Sequence, residues 1–288
     1  PVIRIPRAKP VHIRVDNVLP DPTTVHWHGI RIENAMDGVS GLTQQPIMPG
    51  ASFDYRFTAP DAGTYWYHSH HRSWEQIARG LYGLLIVNED TPVDVDADLA
   101  FIADDWRLDE AGQITEGFGA LHEAAHRGRL GNWLTVNGDT KPKLNVSPNA
   151  RVRLRCVSAA NARVMAFELP GLTAHVIALD GQPLETPEIL DGPLVLAPAQ
   201  RVDLVIDMPG TPATFIINEV SVGDPIVAAE LVVSGDALAD RKNAAPLILP
   251  SNPLAQHQPD LENALHIDLL MQGGAMGGMT QATYKGQM

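Results

Sequence analysis

The chain has 288 residues, enough for two domains with sizeable cores and no covalent staples, and carries 21 Lys+Arg against 34 Asp+Glu for a net charge of -13. That acidity repels phosphate backbones and argues against nucleic acid as a partner. A single cysteine excludes an intramolecular disulfide without revealing the redox compartment, and no apolar stretch is long enough to span a bilayer.

The chain opens on Pro1 inside a strand-like run, PVIRIPRAKPVHIRV, with no initiator methionine and no signal segment, which reads as a processed or trimmed start. In Val11-His12-Ile13-Arg14-Val15 apolar and polar residues alternate, the pattern of a half-buried strand. The same pattern predicts strands over residues 52–57, 151–157, 174–179, 201–206 and 214–218. Short strands punctuated by Gly, Pro and Asn indicate sandwiches or barrels, so the fold class is all-β. Helix is expected only around residues 73–79 and 119–127. One cycle of strands closes with Leu84-Leu85-Ile86-Val87 near Asn88, before the polar NEDTP break; a second runs from Asp98 to Ser234. Residues 235–262 are loose in composition and read as a linker. One new strand is expected over 264–270, followed by a Met/Gly-rich run to Met288.

Two His-x-His pairs carry the chemistry: His26-Trp27-His28 and His68-Ser69-His70. On a strand, residues i and i+2 share a face, about 7 Å apart at the backbone, so two imidazoles so placed can reach adjacent metal ions. In Tyr65-Trp66-Tyr67-His68-Ser69-His70-His71 the alternation puts His68 and His70 on one face and His71 on the other. The plain alternative is a set of structural histidines. Imidazole suits zinc, copper, iron and nickel alike. The His-x-His of metallo-hydrolases continues to Asp-His, whereas Gly29-Ile30 follows here, and a barrel amidohydrolase needs alternating strands and helices. Copper fits best.

The segments TTVHWHG (23–29) and GTYWYHSH (63–70) resemble the first two copper motifs of the multicopper oxidases. PIMPGASFDYRF (46–57) looks like the family's strand before the second motif, and GLYGLLIV (80–87) like the closing strand of its first cupredoxin domain. LTVNG (134–138) and RLRCVSAANAR (153–163) resemble the copper-free middle domain. The resemblance implies two consecutive cupredoxin-like Greek-key β-sandwiches, at 1–92 and 93–234, then the 235–262 linker and, at 263–288, the beginning of a truncated third. It assigns His26 to a type 2 copper, His28 and His68 to one type 3 copper, and His70 to the other. Asp37 matches an acidic residue that helps deliver protons to reduced oxygen; its plain alternative, in Met36-Asp37-Gly38, is a turn residue. The implied activity is laccase-like: one-electron oxidation of a phenol, aromatic amine or metal ion, coupled to four-electron reduction of O2 to water. A periplasmic or secreted location is implied by the resemblance alone.

The family completes its cluster with two further histidine motifs in a third domain, which also holds a type 1 copper on His, Cys and a weak axial ligand. No His-Cys-His occurs here, so the chain is expected to need that domain or a second chain, and to be inactive alone. Cys156 alternates with Val152 and Leu154 and is expected to be a buried structural thiol. His175, His257 and His266 are isolated. His122-Glu123-Ala124-Ala125-His126 fits a zinc-protease pattern, but Gly117, Gly119, Gly128 and Gly131 confine it to a short helix without a third ligand, so a surface helix is expected. Met271, Met276, Met279 and Met288 raise the question of Cu(I) binding through thioethers, against a loop with incidental methionines. Trp27, Trp66 and Trp74 are expected to pack around the cluster. The competing functions are a copper-free scaffold of the same fold, opposed by four intact histidines, and a zinc hydrolase built on HEAAH.

Overall fold

The structure is a computed structural model that describes residues 1–121, 123, 126–240, 245, 247–252, 259–274 and 278–284, with 271–274 and 278–284 described by backbone alone. The first six strands are β1 (Val2–Pro6), β2 (Pro10–Asp16), β3 (His26–His28), β4 (Ser52–Thr58), β5 (Gly63–His68) and β6 (Tyr82–Asn88). They form one sheet in the order β1-β6-β5-β3 and a ladder of β2 with β4. The ladder runs in unbroken antiparallel register from Pro10↔Thr58 to Asp16↔Ser52. Ile5, Trp27, Tyr55, Phe57, Tyr65, Leu85 and Val87 fill the space between the two layers. A four-residue helix, α1 (Ser73–Gln76), follows β5 and is shorter than the 73–79 expected.

The second set comprises β7 (Ala97–Trp106), β8 (Trp133–Val136), β9 (Lys143–Val146), β10 (Arg151–Ser158), β11 (Met165–Glu168), β12 (Ala174–Leu179), β13 (Gln182–Ile189), β14 (Leu194–Leu196), β15 (Arg201–Asp207), β16 (Ala213–Glu219) and β17 (Ile226–Val233). A six-stranded sheet, β13-β12-β15-β10-β7-β8, packs on a five-stranded one, β14-β11-β16-β17-β9. Phe101, Leu154, Cys156, Met165, Phe167, Ile217 and Leu231 lie in their shared core. Both layer pairs are cupredoxin-like β-sandwiches in an all-β chain. Beyond them, β18 (Leu269–Gly274) and β19 (Gly278–Tyr284) pair as an antiparallel hairpin. The strand expected at 264–270 therefore begins only at Leu269, with residues 264–268 outside any strand. No described helix is long and apolar enough to cross a membrane.

One strand departs from its sequence pattern for a physical reason. Alternation predicted a half-buried strand at 151–157, yet all eight residues of β10 are buried. Its polar face carries arginines that are paired across the two sandwiches instead of hydrated. Arg153 Nη1 meets Glu89 Oε1 at 2.6 Å and its Nη2 meets Asp203 Oδ2 at 2.6 Å. Arg155 donates to Asp98 at 2.6 Å and to Thr64 Oγ1 at 2.8 Å. Charges this deep are tolerated only when paired and hydrogen-bonded. Nearby, Gly63 packs so closely on the second sandwich that a Cβ there would sit 2.2 Å from the Gly181 carbonyl oxygen.

Candidate metal centre

β3 and β5 lie side by side in antiparallel register, His26 opposite His68 and His28 opposite Trp66. Residues i and i+2 of β3 share a face, so His26 and His28 point together. Trp27, between them, points away and packs on Tyr55, Phe57 and Tyr67 with ring centroids 5.4, 5.2 and 5.8 Å apart. It thus belongs to the first core, not to the surroundings of the cluster. Trp66 does pack there, 5.2 Å from the His28 ring and 4.2 Å from the His68 ring, while half-exposed Trp74 lines the cavity wall.

His70 arrives by a different route from the expected one. β5 ends at His68, so strand alternation does not carry on to His70. The chain turns instead: Ser69 N–H donates to the Leu81 carbonyl at 3.1 Å, and His70 N–H donates to Thr24 Oγ1 at 3.2 Å. The four rings nonetheless converge. His26 is central, its ring centroid 5.5 Å from that of His28, 5.3 Å from His68 and 5.3 Å from His70. His68 and His70 stack at 6.1 Å. Nitrogen donors of His26, His28 and His68 lie within 4.8 Å of one another, the one grouping of three or more potential metal-binding side chains found among the described residues.

Hydrogen bonding sets the tautomers. A carbonyl can only accept, so His26 Nδ1–H donates to the Asp37 main-chain oxygen at 2.7 Å and His68 Nδ1–H to the Ser69 carbonyl at 2.9 Å. Their Nε2 atoms are left as lone-pair donors, the arrangement outer partners impose on metal-binding histidines. Burial drives the His28 pKa down to about 4, helped by the charge of Arg201 and by His26. Burial likewise takes His68 down to about 3 against the opposing bond to Ser69, and lowers His26. These three rings are therefore neutral at neutral pH, as cation ligands must be. Neutral, converging imidazoles with oriented lone pairs fit copper ions.

Asp37 follows a short 3-10 turn (Asn34–Met36) and places its carboxylate Oδ1 3.4 Å from His26 Nδ1. The turn needs Gly38: its φ is +75°, and a Cβ there would lie 1.8 Å from the Val25 carbonyl oxygen. The histidines open onto a cavity of about 490 Å³ whose far wall comes from the second sandwich, including Ala160, Asn161, Pro198 and Ala199.

Other candidates lie elsewhere. Cys156 is fully buried in the second core, and that burial pushes its thiol well above the usual range. His175 is half-buried in β12 and His266 is exposed, while His257 lies outside the described residues. Of HEAAH, residues 122, 124 and 125 lie outside the described residues; Glu123 pairs with Arg107 and lines the histidine cavity. Met276 and Met288 also lie outside them, and Met271 and Met279 are described by backbone alone. Sequence reasoning quoted Thr23, Thr24 and Ser69 within the two motifs but gave neither them nor Gln76 a role in holding the histidines from behind, because nothing in their spacing signals it.

Two family models, both described as multicopper oxidase, match residues 1–92 and 101–233. A laccase-2 of Cryptococcus neoformans is 31% identical over 235 residues, covering 72% of this chain and 39% of its own length. The multicopper oxidase MmcO of Mycobacterium tuberculosis is 29% identical over 263 residues, covering 82% and 51%. Among solved structures, a multi-copper oxidase from Pseudomonas thermotolerans superposes with a TM-score of 0.85 at 34% identity, covering 94% of this chain and 64% of that one. Lac15 from a marine microbial metagenome gives 0.77 at 41%, covering 91% and 64%. The chain belongs to the multicopper oxidase family, whose cofactor is copper. It spans 39% and 51% of the length of those two curated relatives.

Proposed function

We propose that this chain supplies half the ligands of a trinuclear copper cluster in a laccase-like oxidase, which couples one-electron oxidation of a phenol, aromatic amine or metal ion to four-electron reduction of O2 to water. The observation that carries this reading is the convergence of four imidazoles, each ring 5.3–6.1 Å from a neighbour. His26 is assigned to the type 2 copper, His28 and His68 to one type 3 copper and His70 to the other. The 3.2 Å approach of His28 Nδ1 to His68 Nε2 supports the shared assignment of that pair. The remaining ligands, and the type 1 copper, would come from a third cupredoxin domain or a second chain. Residues 1–92 and 93–234 are read as two cupredoxin domains, 235–262 as a linker, and the β18–β19 hairpin as part of a third. The location is inferred to be periplasmic or secreted.

Copper ions held by His26, His28, His68 and His70 would, when bound, supply electrons for the reduction of O2. The protein's part is to hold four imidazoles in fixed orientation and to manage protons. Asp37 is read as the residue that handles the protons; its half-buried, partly solvent-exposed carboxylate 3.4 Å from His26 Nδ1 supports that reading. Trp66 covers the pair His28 and His68 and keeps water off their inner faces.

Metal analysis of the full-length protein purified with copper present tests the reading, together with O2 uptake on a phenolic substrate. Several coppers per chain with O2 consumed to water is the expected result. A protein that binds no copper, or a single zinc, would end it in favour of a scaffold or a hydrolase.

A further inference from the structure

We infer that Gln76 is a positioning residue that clamps the two histidine-bearing segments to each other from behind the cavity; this rests on the copper-cluster function proposed above. Gln76 closes α1 and is only 5% exposed. Its Oε1 accepts hydrogen bonds from Thr23 Oγ1 at 2.8 Å and from Ser69 Oγ, and its Nε2 donates to the Pro22 carbonyl at 2.8 Å. These partners flank both motifs. Pro22 and Thr23 lie just ahead of His26, and Ser69 sits between His68 and His70. Thr23, Ser69 and Gln76 are all buried, so water does not compete for the contacts.

The need for such a clamp follows from how His70 is delivered. His26, His28 and His68 are fixed by the β3–β5 ladder, but His70 lies beyond the end of β5. Its backbone is held to the first motif by Thr24 Oγ1, and the preceding residue, Ser69, is held by Gln76. Ser69 also presents the carbonyl that fixes the His68 tautomer at 2.9 Å. One amide therefore controls the direction of two rings. The residue type matters as well. The site asks for an oxygen that accepts twice and a nitrogen that donates on the same planar group, which among side chains of this length only glutamine provides. A hydrophobic replacement would take the shared acceptor away from two buried hydroxyls, leaving them only the longer 3.2–3.4 Å contacts to Thr24, His71 and each other, and would remove the donor to the Pro22 carbonyl; a glutamate would keep both acceptor contacts but lose that donor.

The test compares wild type, Gln76→Met and Gln76→Glu in the full-length protein. In the copper-free state, the ring nitrogen NMR signals of His68 and His70 are read; in the copper-loaded state, Cu(II) affinity and the EPR signature are read. Gln76→Met is expected to shift both sets of ring signals, alter the EPR spectrum and weaken copper binding roughly 10–100-fold, the range seen when outer-shell partners are lost. Gln76→Glu is expected to bring the ring signals most of the way back. Unmoved signals in Gln76→Met, or displacement of Gln76→Glu just as large, would overturn the inference. If Gln76→Met does not fold, Ser69→Ala, which cuts the same contact from its other end, is judged by the same criteria. Ring signals displaced by Gln76→Met in a protein whose wild type binds no copper would sink the cluster reading and leave the positioning role standing.

Discussion

His28 Nδ1 and His68 Nε2 face each other across 3.2 Å, although His28 is registered against Trp66 and His68 against His26. The contact is a diagonal one between neighbouring strands, which long or aromatic side chains can make. Replacing His68 by alanine is expected to lower the copper content of the purified protein and to weaken copper binding by more than the roughly 10–100-fold typical of outer-shell changes. Metal analysis and O2 uptake check this; full copper occupancy in His68→Ala would contradict the assignment.

Asp37 acts on His26 through two separable groups, its main-chain oxygen at 2.7 Å and its carboxylate at 3.4 Å. Asp37→Asn leaves the first intact. Copper content should therefore hold while O2 reduction slows by about 10²–10⁴-fold, the usual worth of a positioned proton donor. An unchanged turnover rate would reduce Asp37 to a turn residue.

Gly38→Ala combines left-handed strain with a collision against the Val25 carbonyl. Destabilisation beyond the about 1–3 kcal/mol of such strain alone is expected, together with loss of copper because Val25 leads directly into β3. Chemical denaturation of the variant measures the first effect and metal analysis the second.

Asp104 accepts a hydrogen bond from Tyr82 at 2.7 Å, yet burial lifts its pKa from 3.8 to about 7. The folded state thus holds this proton more tightly than the unfolded chain, so stability falls as pH rises from about 4 to about 7. The full effect is on the order of 4 kcal/mol. Asp104→Asn should flatten that part of the stability profile and leave the protein relatively more stable above pH 7. An unaltered profile would mean that other groups set the pH dependence.

Arg153 bridges Glu89 of the first sandwich and Asp203 of the second while itself fully buried. Arg153→Met strands the Glu89 carboxylate and leaves buried Asp203 with only the more distant Arg155 guanidinium at 3.5 Å, and is expected to cost about 3–5 kcal/mol. Because the bridge crosses between sandwiches, denaturation probes in both should report the loss.

Much of the architecture was legible because strand alternation is a local property. The strands at 52–57, 174–179 and 201–206 appear as β4, β12 and β15 within a residue at each end. β10 differs on one face: Arg153 and Arg155 look like solvent-facing residues until their carboxylate partners, 50 and 57 positions away, are brought alongside. The histidine pairs announce themselves by motif, and their convergence on one cavity follows from the β3–β5 register. The turn that carries His70 and the amide of Gln76 behind it do not, since both depend on a hydroxyl from another segment. Trp27 shows the same limit in reverse: adjacency in sequence suggested adjacency to the rings, whereas the pleat sends it to the opposite side of the sheet.

The cavity draws its donors from the first sandwich and its opposite wall from the second. The sandwich without histidines in that cavity therefore helps govern how much room a small molecule has beside the four imidazoles. Substitutions at Ala160 or Ala199 could retune access to the centre while every ligand, and every group holding a ligand, stays as it is.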